Sequence, residues 1–215
     1  MKRIISFLLI VSLLLCLSAC DRPVLPPVRV TENMMFVSLA VDPTFSNAVE
    51  ADLIAHVKIG NWLGEDSDGF NRTFFEAEVL HVFKGEEKEK ITVIQEGSSE
   101  ATAFGYPLYI YGNEWLLFLN KATDEPYEDA YYTLGLWHYP FFAAPTEEGY
   151  LYLGCEYGIG QDLPQEDNYA ENGNTERYVE AYKFLKEADP LLGGYFMYAY
   201  TKEDLTRYIQ EYIEN

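Results

Sequence analysis

Hydrophobic and polar positions change period several times along the chain. Residues 4–17 are almost all Ile, Leu, Val and Phe. That run is shorter than the roughly 20 apolar residues needed to cross a bilayer. Val41-Asp42-Pro43-Thr44-Phe45 reads as a helix start, with Asp42 as cap and Pro43 at the first helical position; Phe45, Ala48 and Val49 continue it towards Asp52. From Leu53 the period falls to two. Strands are predicted over 53–63, 70–83, 91–94, 108–111, 115–119, 131–137 and 150–153, separated by Gly- and Asp-containing turns. In the second of these, Thr73, Phe75, Ala77 and Val79 alternate with Phe74, Glu76 and Glu78, so the two Glu mark a wet face. Residues 158–173 are acidic and read as a long loop. Helical spacing then returns. Tyr178, Val179, Tyr182, Leu185 and Lys186 form one stripe from Thr175 to Ala188. Leu205, Tyr208, Ile209, Tyr212 and Ile213 form another, behind a Thr201/Asp204 approximation of a capping box.

This pattern predicts a mainly β fold: a small barrel with a short N-terminal helix and two C-terminal amphipathic helices. The boundaries are a leader at 1–19, a Pro-containing spacer at 20–35, a β-barrel domain at 36–155, and an acidic loop with a helical C-terminal appendage at 156–215. Pro23, Pro26 and Pro27 make the spacer extended and semi-rigid, suited to holding the domain away from whatever anchors its end.

Charge narrows the function. The formal net charge is −20, and losing Lys2 and Arg3 with the leader takes it to −22. Phosphate binding demands Lys and Arg, so nucleic acid is excluded as a partner. Cysteines are few: Cys16 falls in the leader and Cys20 directly follows it as the lipid-bearing residue, so Cys155 has no partner within the chain. No disulfide framework is expected, and Cys155 reads as a small apolar residue.

Lys2 and Arg3, the short apolar run, and Leu17-Ser18-Ala19-Cys20 together resemble a bacterial lipoprotein signal peptide with its lipobox. The resemblance implies peptidase recognition through Leu17, Ser18 and Ala19, and a diacylglyceryl group on Cys20. The protein is then a lipid-anchored resident of the cell membrane, facing the extracytoplasmic side. Two acyl chains suffice for stable anchoring where one does not. An ordinary secretory leader cut elsewhere is the alternative.

A second resemblance covers residues 42–145. Ala51-Asp52-Leu53-Ile54, Thr73-Phe74-Phe75-Glu76-Ala77-Glu78-Val79, Val82-Phe83-Lys84-Gly85, Ile91-Thr92-Val93 and Gly112-Asn113-Glu114-Trp115-Leu116-Leu117-Phe118-Leu119 resemble secreted bacterial barrels of the oligonucleotide/oligosaccharide-binding (OB) type. These are similar to the netrin-like domain of tissue inhibitors of metalloproteinases. The resemblance implies a fold and no function. Those inhibitors use disulfides and a free N-terminal Cys amine, and a lipidated Cys20 offers neither.

No catalytic motif, cofactor fingerprint or metal-ligand spacing stands out. His56, His81 and His138 share no ligand pattern. Asp66-Ser67-Asp68-Gly69 fails as a calcium loop, because Gly64 and Phe75 would occupy its first and last ligand positions. Glu76 and Glu78 lie about 7 Å apart along one strand face and are the one carboxylate pair suited to acid/base chemistry. Among 18 Tyr, the clusters Tyr106, Tyr109, Tyr111 and Tyr131, Tyr132 are candidates for an aromatic binding surface. The sequence therefore favours a non-catalytic module that binds an unidentified protein or glycan at the cell surface. The alternative is a hydrolase of envelope polymers using acidic residues. A transporter's substrate-binding lipoprotein is a third reading, for which the chain is short.

Overall fold

The computed structural model describes residues 22–35, 44–66, 71–103, 106–123, 127, 130–133, 140–155, 159–170, 175–192 and 196–214. In chain order the elements are β1 (Met34–Met35), α1 (Phe45–Ala48), β2 (Leu53–Asp66), β3 (Arg72–Lys84), β4 (Lys90–Glu96), β5 (Thr102–Ala103), β6 (Glu114–Lys121), β7 (Ala130–Thr133), β8 (Phe141–Thr146) and β9 (Gly149–Cys155). Two 3-10 turns, α2 (Thr175–Ala188), β10 (Phe196–Thr201) and α3 (Lys202–Glu214) follow.

Five strands close into a barrel. β2 pairs antiparallel with β3, and β3 with β4; β4 runs parallel to β7; β7 pairs antiparallel with β6, which returns to β2. This connectivity is compatible with an OB-like fold. The second edge of β6 is shared: its start pairs with β8 and its end with β7. From β8 the sheet runs on through β9 to β10.

Burial explains the sequence pattern. Leu53, Ala55, Val57 and Ile59 of β2 point into the barrel with Phe75, Ala77, Val93 and Trp115, and this core continues to Ala181 and Leu185 of α2. The opposite face of the same strands carries Ile54, Leu116 and Phe118. These pack under α1 and α3 through Phe45, Leu205, Tyr208 and Ile209. β6 is thus covered on both faces, so Leu116 to Leu119 form an unbroken apolar run. α3 starts as expected: Asp204 N donates to Thr201 Oγ1 (3.1 Å) and Thr201 N donates to Asp204 Oδ2 (3.3 Å). Such caps contribute about 1 kcal/mol.

Several expectations change. Residues 108–111 form no strand. Tyr109 N instead donates to Gln95 Oε1 (2.8 Å) and Leu108 N to the Arg29 carbonyl (2.9 Å), and both side chains fill the barrel core. The N-terminal helix is one turn, ending at Ala48; its expected start at Asp42 and Pro43 lies outside the described residues. β8 and β10 are additional strands. Residues 159–162 and 165–167 of the expected loop form 3-10 turns. β10 and both C-terminal helices share the sheet and the two cores with the barrel.

The Pro-containing segment also differs from a free spacer. Residues 22–35 lie as a strap along the barrel. Val24 N donates to Asn61 Oδ1 (3.0 Å), Trp62 N to the Val24 carbonyl (2.8 Å), and Thr102 N to the Asn33 carbonyl (3.1 Å). Pro26 is buried, β1 pairs with β5, and Arg29 forms a two-pronged ion pair with Asp189 beyond α2.

Candidate functional site

The outer face of β2 and β3 holds a cleft of about 260 Å³. Its origin is a bulge. Ile59 faces Ala77 and Trp62 faces Phe75, so β2 spends one extra residue over this interval. Gly60 sits in the bulge, where a Cβ would lie 3.1 Å from the Glu76 carbonyl oxygen. The missing side chain allows this close approach. Asn61 is thereby turned outwards: its Oδ1 holds the strap at Val24, and its Nδ2 donates to Glu76 Oε2 (3.4 Å).

Lys58, Asn61, Glu76, Glu78, Lys90 and Tyr111 line this cleft. The carboxylate pair picked out by its spacing is therefore present at a concave site, and Glu76 is ion-paired there. Lys90 Nζ donates to Glu76 Oε1 at 2.5 Å. That bond holds the Glu76 carboxyl below its ordinary range against the opposing effect of burial, and pushes the Lys90 ammonium up. A general acid at neutral pH needs the opposite shift. What the cleft offers is two ammonium groups, two carboxylates, an amide and a phenol, suited to a polar ligand with both donors and acceptors.

Beside the cleft the same face of β2 becomes buried. His56 lies two residues before Lys58, and its Nε2 is 3.0 Å from Glu114 Oε2 while its Nδ1 is 3.1 Å from the Tyr152 hydroxyl. The carboxylate acceptor places the proton on Nε2, so Nδ1 accepts from Tyr152. The ring stands edge-on to Tyr150 and Tyr152. Burial pushes the Glu114 carboxyl up, but hydrogen bonds from His56 and Tyr150 outweigh it and hold Glu114 below its ordinary value. Burial pushes both phenols up, so they remain donors. This chain joins β2, β6 and β9 and is enclosed beside the second core, which makes it a brace for the cleft wall.

The lowered Glu114 value carries a pH prediction. A carboxyl depressed in the folded state stabilises above its unfolded value, near 4.5, and that contribution fades as pH falls through the folded value. Glu114→Gln is expected to be less stable than the parent at pH 7, with the gap closing in acid. Urea unfolding at pH 7 and pH 3.5 checks this; a gap independent of pH would remove Glu114 from the acid response.

The candidate tyrosines separate. Tyr106, Tyr109 and Tyr131 are buried in the barrel core, Tyr132 is half-buried with Arg72 5.4 Å from its ring, and Tyr111 is exposed at the cleft. They do not form one exposed platform, because three of them are buried in the barrel core. Cys155 is buried at the end of β9. Leu17, Ser18, Ala19, Cys20 and His138 lie outside the described residues. Among the described residues no group of three or more His, Cys, Asp or Glu side chains is placed to hold a metal, and no helix is long and apolar enough to cross a membrane. Sequence reasoning missed Lys58, Asn61, Lys90 and the His56–Glu114 pair. The one available signal was Gly60-Asn61 inside a strand, a mark of a bulge.

The sequence matches no protein-family model and no curated protein.

Proposed function

We propose that this chain is a lipid-anchored extracytoplasmic lipoprotein, held through Cys20, whose netrin-like, OB-type barrel binds a protein or glycan partner without catalysing a reaction. The observation that carries the binding reading is the bulge-built cleft with Glu76 held ionised by Lys90. Apart from Tyr111, its groups come from β2, β3 and β4, the meander whose second and third strands form the usual ligand face of OB barrels. The mixed charge of the cleft suits hydroxyl-rich or peptide ligands, and the −20 net charge disfavours nucleic acid. The hydrolase alternative finds less support, since a carboxylate held ionised cannot donate a proton at neutral pH.

Two measurements test the two halves. Cys20→Ala is expected to release the protein from membranes or block its maturation; unchanged membrane association ends the anchor reading. A photo-crosslinking residue at Tyr111, in the protein in its own envelope, is expected to capture a partner that the same residue at exposed Val179 on α2 does not. Identical capture at both positions, or none at either, ends the binding reading for this cleft.

A further inference from the structure

We infer that the barrel rests on the lipid bilayer on the side where the strap is bonded to β2 at Val24, where Val24, Leu25, Val28 and Leu63 are each exposed, so that the cleft opens at the membrane surface. This rests on the anchor at Cys20 and says where it puts the domain.

The argument begins with the strap. Its Val24 amide and carbonyl are both bonded to β2, at Asn61 and Trp62. Cys20 precedes Val24 by four residues. A fully extended chain covers at most about 3.6 Å per residue, so the lipidated residue lies within about 14 Å of this contact. A docked strap cannot act as a spacer, and the domain must sit against the surface that holds its lipid.

The side chains at that point suit such a contact. Val24 is 49% exposed, Leu25 50%, Val28 42% and Leu63, adjacent to Trp62, 55%. The Val24 amide and carbonyl and the Arg29 carbonyl are already bonded to the barrel, so burying this stretch does not strand those polar groups. Arg22, at the start of the strap, adds a cation next to the headgroups. A net charge of −22 without the leader argues against electrostatic attraction to anionic lipid beyond Arg22, so the contact depends on apolar insertion. Weak insertion suffices, because the two-chain anchor makes the second contact intramolecular. Asn61 both holds Val24 and lines the cleft, which places the cleft beside the contact. A ligand reaching it would come from the membrane surface.

The test uses the full-length lipidated protein in phosphatidylcholine/phosphatidylglycerol vesicles containing a doxyl-labelled lipid. With Cys20 acylated and Cys155 buried, Leu63→Cys adds one reactive thiol for an environment-sensitive fluorophore. Val28→Cys is the second reporter and Val179→Cys on α2 the control. Insertion of several ångströms is expected to quench both reporters about threefold more than the control. Vesicle-bound protein whose reporters are quenched no more than the control overturns this inference and leaves the anchor standing. Protein that does not float with vesicles overturns both. Reporters that are equally dry in detergent without lipid, with a concentration-dependent signal, would assign this side to a second copy instead.

Discussion

Arg29→Ala is expected to lower the unfolding free energy by about 3–5 kcal/mol, the usual consequence of removing one partner from a buried ion pair. Asp189 is fully buried just beyond the end of α2. Its N–H donates to the Leu185 carbonyl (2.7 Å), so its carboxylate stands at a helix C-terminus, where the dipole is unfavourable to negative charge. Arg29 answers with two bonds, Nη1 to Oδ1 (3.1 Å) and Nη2 to Oδ2, while its Nε donates to the Leu108 carbonyl (2.9 Å). One guanidinium therefore joins the strap, the barrel core at Leu108 and the end of α2. Lysine cannot reproduce that planar fork, so Arg29→Lys is expected to recover only part of the loss. The double replacement Arg29→Met/Asp189→Leu removes both charges and is expected to recover most of it. Urea unfolding measures all three, and limited proteolysis within residues 22–33 reports release of the strap. A loss below about 1 kcal/mol for Arg29→Ala would place this pair with ordinary surface pairs.

The elements legible in the sequence are those with one wet and one dry face. Glu76 and Glu78 alternate with buried Phe75 and Ala77, and the period of β3 is plain. The Thr201/Asp204 cap and the Leu205, Tyr208, Ile209 stripe fix the start and inner face of α3, while Tyr212 and Ile213 lie more exposed than the stripe implies. Legibility fails where both faces are covered. Phe141 to Ala144 of β8 are all buried, two in each core, so no alternation marks them as a strand. It fails again for long-range pairing. The strap has an extended composition, but its partner Asp189 is 160 residues from Arg29, and no local pattern encodes that distance. The cleft shows the same limit. The Glu pair can be read from spacing alone. Lys90, which decides its chemistry, reaches Glu76 diagonally from a register position opposite Glu78, and that depends on the register of β3 against β4.

Gly85→Ala, at the exit of β3, is expected to cost about 2–5 kcal/mol, combining backbone strain with overpacking. Gly85 has φ +103°, a region that L side chains rarely adopt. An added Cβ would also lie 2.5 Å from the Asp52 carbonyl oxygen and 3.1 Å from Leu53 Cα. Those are backbone atoms where β2 begins, and they have little freedom to move. Lys121 N donates to Asp52 Oδ2 (2.8 Å), and Leu53 is buried opposite Leu119 in the closing β2–β6 ladder. Relief at Gly85 would therefore have to displace a barrel seam. Gly112 separates the two contributions: its φ is +88°, but no atom lies within 4 Å of an added Cβ. Gly112→Ala should carry the strain alone, about 1–3 kcal/mol. The difference between the two variants in urea unfolding then measures the contact at the start of β2. Equal losses would mean that conformation alone sets the cost, and that the β3 exit does not press on the strand that closes the barrel.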